Sequence, residues 1–114
     1  MSDAIYRQEP VRMNIEIGSQ DTLNQEVDFF QSDEVTPLDL TGYSFESYIF
    51  LDNLEKTTIP ITVTNINLAL GQIYLFCDQL GGLIRGNSTY NWLLRWTDPS
   101  LKKRTIFEGS FKII

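Results

Sequence analysis

The stretch TPLDLTGYSFESYIF, residues 36–50, joins a turn to a strand through a single glycine. Its first half holds the turn-forming residues Pro37, Asp39 and Gly42. Its second half alternates, with Tyr43, Phe45, Ser47 and Ile49 on one side and Ser44, Glu46, Tyr48 and Phe50 on the other. This period of two predicts a strand that begins directly after the glycine. Because glycine tolerates positive φ, Gly42 is predicted to let the chain cross from one sheet to another.

Similar short alternating segments, separated by turn residues, make up the rest of the chain. Each of four further sets is predicted to share one face of its strand: Val11, Met13, Ile15 and Ile17; Leu23, Val27 and Phe29, which are predicted to lie inside; Tyr90, Trp92, Leu94 and Trp96; and Thr105, Phe107, Phe111 and Ile113. Pro60 cannot donate a ladder hydrogen bond, so TIPITVT is predicted to be an edge strand or to contain a bulge. We therefore expect an all-β domain at residues 11–114, preceded by an N-terminal arm at residues 1–10. The expected architecture is an immunoglobulin-like antiparallel sandwich of about seven to eight strands.

Composition narrows the range of functions. The chain has 114 residues, of which 42% are hydrophobic and 21% charged, which is typical of one globular domain. It has no histidine and one cysteine, Cys77, so an intrachain disulfide, a Cys/His zinc site and any histidine-dependent catalytic triad are excluded. We expect no enzymatic activity and no cofactor. The start of the sequence does not resemble a signal peptide and no apolar run could span a bilayer, so a protein made in the cytoplasm is expected.

Charge is distributed unevenly along the chain. Residues 1–55 carry twelve acids and two bases, a net of −10, and residues 56–114 carry three acids and seven bases, a net of +4, which gives the total of −6. An acidic total argues against nucleic-acid binding, which requires a basic surface. The asymmetry fits either charge pairing across neighbouring strands or head-to-tail contacts between copies.

Two groups of residues are candidates for ligand sites. Asp33, Glu34 and Asp39 supply oxygen ligands, but their spacing matches no EF-hand, so solvated loop acids are expected and no metal site is predicted. The Tyr90 to Trp96 stripe resembles the aromatic platform of a carbohydrate-binding module. In a small sandwich such a stripe belongs to the core, and we expect at least Trp92 to be buried.

Three segments are the candidates for contacts with protein partners. Lys102, Lys103 and Arg104 form a compact basic run beside a predicted turn, suited to an acidic partner. Asp33 and Glu34 provide the opposite charge in the longest irregular link. The arm contributes Ile5, Tyr6 and Arg7, and its extended reach allows contact with a neighbouring subunit.

The order of motifs resembles small bacteriophage virion domains, such as the N-terminal domain of phage baseplate upper proteins and stand-alone proteins associated with tails or fibres. The matching elements are a Leu-Thr-Gly corner, a Gly-Gln-Ile strand, a Tyr-x-Trp strand and a terminal Gly-x-Phe-x-Ile strand. They lie at residues 39–42, 71–73, 90–92 and 109–113. The resemblance extends over residues 11–114.

The resemblance implies an immunoglobulin-like sandwich without enzymatic activity, located in the virion as part of a symmetric assembly. The expected function is a structural one, linking or anchoring tail, baseplate or fibre components through contacts with other virion proteins and with copies of itself. The alternatives are a capsid decoration or cement protein, and a carbohydrate-binding module for host-surface glycans. Neither nucleic acid nor membrane is an expected partner.

Overall fold

The computed structural model describes residues 10–19, 21–31, 33–51, 54–83 and 90–114. Within these ranges the chain forms nine strands and two 3₁₀ turns. The strands are β1 (Val11–Arg12), β2 (Ile15–Ile17), β3 (Leu23–Asp28), β4 (Ser44–Leu51), β5 (Leu54–Pro60), β6 (Thr62–Asn67), β7 (Gln72–Cys77), β8 (Tyr90–Thr97) and β9 (Lys103–Ile113). The 3₁₀ turns are Leu68–Leu70 and Leu80–Gly82.

Two sheets pack face to face. The larger has six strands in the order β1-β9-β8-β4-β5, with β2 also paired to β9, and the smaller has three in the order β3-β7-β6. β1 and β2 run parallel to β9, whereas the other pairs are antiparallel. This strand order is that of an immunoglobulin-like sandwich. The predicted all-β sandwich is confirmed, and its nine described strands exceed the predicted seven to eight because two predicted strands are each divided in two.

The corner before β4 is built as predicted. Gly42 has φ +86°, and the N–H of Tyr43 donates to the carbonyl of Leu40, which closes the turn between the two sheets. The Asp39 carboxylate accepts hydrogen bonds from the backbone N–H and the hydroxyl of Thr41. Leu40 is fully buried and fills the corner.

The first predicted strand is interrupted between β1 and β2, where Met13 and Asn14 lie against Gly109 and Ser110 of β9 without a change of register. The indole Nε1 of Trp92 donates to the Met13 carbonyl at 2.7 Å, and the Asn14 side-chain oxygen accepts from the N–H of Ser110 at 3.0 Å. A Cβ on Gly109 would stand 2.1 Å from the Met13 carbonyl oxygen. Glycine is therefore required at position 109 because the Met13 carbonyl occupies the space of a side chain there.

The second division lies at Pro60, which ends β5 at the edge of the larger sheet. The next residue, Ile61, is buried and donates its N–H to the carbonyl of Ser47, after which the chain continues as β6 in the smaller sheet. The predicted edge position is confirmed. Pro60 lies in an edge strand, where a residue without a backbone N–H costs little stability.

Trp92, Leu94 and Phe111 form the centre of the core and are at most 1% exposed. The prediction that Thr105 shares a face with Phe107 is wrong. Leu94 pairs with Phe107 but Arg95 pairs with Thr105, so a bulge adds one residue to β9 between them. The bulge turns Thr105 to the outer face, where its hydroxyl accepts a hydrogen bond from Nε of Arg95.

Candidate functional site

One end of the sandwich carries most of the predicted contact residues. We call it the loop end; it comprises residues 29–31, 33–43, 68–71 and 98–104, and it carries five of the eight predicted contact residues. The strand registers bring these segments together, because β3 ends and β7 begins there, and Ser44 at the start of β4 pairs with Thr97 at the end of β8. The carbonyl of Leu68 accepts the N–H of Leu40, and Phe29 contacts the ring of Trp96.

The acidic part of the loop end is a small hairpin at residues 29–38. Phe30 and Pro37 form a β-bridge at its base. At its tip the Asp33 carboxylate accepts the hydroxyl of Thr36 and the backbone N–H groups of Thr36 and Val35. The Thr36 hydroxyl bond, followed by these backbone bonds, holds the pKa of Asp33 below its ordinary value. The carboxylate therefore orders its own loop rather than facing a ligand.

The basic part of the loop end is the β8–β9 hairpin. Asp98 fixes its turn, since its Oδ1 accepts the N–H groups of Ser100 and Lys102, each at 2.9 Å. The side chains of Lys102, Lys103 and Arg104 are exposed. Within the described part of the chain none of the three forms an ion pair, so their charge is available to a partner.

The structure thus gathers Asp33, Glu34, Lys102, Lys103 and Arg104 towards one end of the sandwich, on two separate hairpins. Ile5, Tyr6 and Arg7 lie outside the described residues. The chain enters β1 through Pro10, and Val11 pairs with Phe107, three residues beyond the basic run. The arm is therefore attached on the side of the molecule that carries the β8–β9 hairpin.

The aromatic stripe does not form a surface platform. Tyr90 and Trp92 are buried, and Trp96 is partly buried against the rings of Phe29 and Tyr43. The predicted core position of Trp92 is confirmed. Cys77 is also buried, as is typical of a free cysteine that packs as a small apolar side chain. Among the residues whose placement is described, no three His, Cys, Asp or Glu side chains form a group that could hold a metal ion.

Two surface features were missed by the sequence reasoning. The first is Leu101, which is 82% exposed and has φ +65° at the turn of the basic hairpin. The second is a cleft of about 470 Å³ along the side of the sandwich, between β3 and the β1–β2 edge. Both had a signal in the sequence: a leucine stands where a three-residue hairpin loop favours glycine, and Gln25 interrupts the apolar series of Leu23 and Val27.

These features define an all-β, two-sheet sandwich of immunoglobulin-like strand order whose exposed features are loops, hairpins and an edge cleft. No protein-family model matches the sequence, and no curated protein matches it. Among the residues described by the structure, no helix is long and apolar enough to cross a membrane.

Proposed function

We propose that this chain is a non-enzymatic structural protein of a bacteriophage particle, which links or anchors tail, baseplate or fibre components through protein–protein contacts. Its partners are other virion proteins and copies of itself. The proposal combines the resemblance of residues 11–114 to phage virion domains with the chemistry of the described surface.

The observation that carries the proposal is the loop end. Phe30, Val35 and Leu101 are 50%, 77% and 82% exposed there, beside the acidic and basic hairpins. Large apolar side chains grouped with unpaired charges are typical of protein-binding surfaces. The fold gains nothing from exposing them, so a contact with another protein is the best reason for their presence.

The motifs behind the resemblance support the same proposal, because each has a structural purpose. Gly42 turns the chain between sheets, and Gly71, with φ +68°, closes the turn before β7. Trp92 fills the core and donates to the Met13 carbonyl, and Gly109 makes room for that carbonyl. The residues that carry the resemblance therefore build the scaffold, which fits a protein that acts through its shape.

Mass spectrometry of purified phage particles tests the proposal. We expect the chain in intact virions, and in isolated tails but not in tail-less heads. Presence in heads alone would favour the alternative of a capsid decoration protein, and repeated absence from intact virions would reject a structural role in the particle.

A glycan-binding role is tested separately by quenching tryptophan fluorescence with acrylamide and by titrating host-surface glycans. Because Trp92 is 1% exposed, we expect a strongly protected indole and no change on adding glycans. Saturable quenching by a glycan would instead support the carbohydrate-binding module.

A further inference from the structure

The cleft exists because neither sheet covers the other along one side. β3 is an edge of the smaller sheet, and β1 and β2 form the facing edge of the larger one. The cleft floor is apolar, formed mainly by Met13, Ile15, Val27, Leu75, Trp92 and Phe107. Gln25 also lines the cleft, at a position where an apolar side chain would have closed it. The Nε2 of Gln25 donates to the backbone carbonyl of Glu26. The sandwich therefore keeps an apolar opening of about 470 Å³ at its side.

The rim of this cleft is acidic. Glu26 and Asp28 are the charged residues among those that line it; both are exposed, and alternation along β3 places their side chains on the outer side of this edge strand, opposite to Gln25 and Val27. Within the part of the chain that the structure describes, neither forms an ion pair. An apolar floor with an acidic rim fits a ligand that presents an apolar side chain flanked by positive charge.

The β8–β9 hairpin of the same chain has these properties. Its turn is a three-residue loop in which the N–H of Leu101 donates to the carbonyl of Asp98 and the N–H of Asp98 to the carbonyl of Lys102. Such loops place their last residue in the left-handed region, usually a glycine. Here Leu101 takes that position with φ +65° and is 82% exposed, followed directly by three bases. An exposed leucine held in a disfavoured conformation suggests a role outside the monomer.

We propose that residues 98–104 of one copy dock into the β1–β2/β3 cleft of a second copy. Leu101 enters the apolar floor, and Lys102 and Lys103 lie against Glu26 and Asp28 on the rim. The two surfaces differ, so the contact is head-to-tail and repeats into a ring or a row of copies. The area is small, so a single contact is weak and gains strength by repetition. The contact specifies the self-contact that the proposed function includes, and it can be tested independently of the chain's place in a phage.

Direct pairing of two β3 edges is a poor alternative occupant of this side. In an antiparallel pair across a twofold axis, the acids Glu26 and Asp28 of both copies would lie close together without a base between them. Like charges on facing strands are destabilising, and charged edges of this kind oppose edge-to-edge pairing. The positively charged hairpin is the favoured occupant because its charge is opposite to that of Glu26 and Asp28, whereas a second β3 carries the same charge.

Sedimentation velocity on the purified full chain over a range of concentrations tests the contact, with Leu101→Ser and Val35→Ser as a matched pair. Both residues are apolar, highly exposed and at the loop end. We expect reversible association that Leu101→Ser weakens by about tenfold or more, as for loss of a buried leucine. Val35→Ser should leave it unchanged. An unaltered protein that stays monomeric at millimolar concentration overturns the proposal, as do equal effects of the two variants.

Charge reversal tests which surfaces meet. One variant carries Glu26→Lys with Asp28→Lys, and the other carries Lys102→Glu with Lys103→Glu. Each alone should lose association, because its cleft and hairpin then have the same sign. Mixing the two variants should restore it, since each hairpin again meets a cleft of opposite charge. Failure of the mixture to associate, while both variants remain folded by circular dichroism, overturns the head-to-tail contact.

Deletion of residues 1–9 separates the hairpin from the arm as the occupant of the cleft. We expect the truncated chain to associate as the full chain does. If the deletion abolishes association and Leu101→Ser does not, the arm is the occupant and the proposal is wrong. A chain found in virions that does not self-associate rejects this contact alone, whereas self-association by a chain absent from virions rejects only the phage role.

Discussion

Gly42 is the residue on which the crossing between the sheets depends. Its φ of +86° is disfavoured for any side chain, and an added Cβ would lie 3.1 Å from Cγ of Pro99. We expect Gly42→Ala to lower the free energy of unfolding by about 1–2 kcal/mol, measured by urea denaturation. Gly81→Ala is the matched control, because a Cβ there meets nothing within 4 Å. Equal losses in the two variants would contradict this account of Gly42.

At position 101 the native leucine, and not a substituted residue, has the disfavoured backbone conformation, with φ +65°. Asparagine adopts positive φ more readily than leucine, and an 82% exposed side chain contributes little burial. We expect Leu101→Asn to raise the free energy of unfolding by about 0.5–1 kcal/mol in the monomer, as read from urea denaturation at low concentration. A loss of stability would mean that Leu101 packs within its own chain.

Asp33 makes the acidic hairpin sensitive to pH. Its folded-state pKa is lowered by the hydrogen bond from the Thr36 hydroxyl and then by bonds from backbone N–H groups. The ionised carboxylate therefore stabilises the fold at pH values above the ordinary aspartate pKa of about 3.9. That contribution is lost as pH falls through the lower folded-state pKa. We expect an NMR carboxyl titration to place the Asp33 midpoint below the ordinary value, with faster amide exchange at Val35 and Thr36 below it.

Thr36→Val is the control for Asp33, because it removes the largest cause of the shift and keeps a side chain of similar shape. The midpoint of Asp33 should move up towards the ordinary value while the fold is kept, since Thr36 is exposed. An unchanged midpoint in this variant would show that the hydroxyl is not the cause.

At the scale of the elements, the β1–β2 edge is held to the sheet where the Met13 carbonyl lies against Gly109 and accepts the Trp92 indole N–H. An alanine at position 109 would bring Cβ within 2.1 Å of the Met13 carbonyl oxygen and displace it from Nε1 of Trp92. We expect Gly109→Ala to lower the free energy of unfolding by about 2–4 kcal/mol, because the site is overpacked and a partly buried hydrogen bond is lost. Hydrogen exchange should show β2 losing protection before β7 does, because β7 lies in the other sheet. Uniform loss of protection across both sheets would contradict a local effect.

The elements themselves could be predicted because alternation and turn residues specify them locally. The corner at Gly42, the edge position of Pro60 and the burial of Trp92 all followed from residue type and spacing. The bulge that turns Thr105 outward did not, since it depends on how β9 pairs with β8. The break after Arg12 likewise depends on a glycine 97 residues later in the chain, at position 109.

The candidate site was less predictable than the fold, and the reason is geometric. The basic run and the acidic pair were visible as charge clusters, but nothing local shows that both lie near one end of the sandwich. The cleft involves residues of five strands, so only the assembled sheets reveal it. Leu101 was readable in principle, as a leucine at the end of a Pro-Ser-Leu loop, because such a loop favours glycine there.

At the scale of the whole molecule, the two explanations of the charge asymmetry apply to different residues. Arg95 pairs with Glu46 across neighbouring strands at 3.1 Å, which joins the basic and acidic halves of the chain. This is a surface pair and contributes little to stability. The charges at residues 102–104 and at Glu26 and Asp28 have no such partners within the described residues. Among the described residues, one pair of the opposite charges thus meets inside the monomer, whereas residues 102–104 and Glu26 with Asp28 form two surfaces of opposite sign.

Those opposed surfaces make the strength of self-association depend on salt. The Debye length falls from about 10 Å at 0.1 M to about 3 Å at 1 M salt, so attraction between exposed charges weakens steeply. We expect sodium chloride between these concentrations to weaken association of the unaltered chain several-fold, measured by sedimentation velocity. In the matched variant Glu26→Gln with Asp28→Asn, the remaining association should depend on Leu101 and change little with sodium chloride. Association that strengthens with sodium chloride in the unaltered chain would mean that apolar contacts alone join the copies.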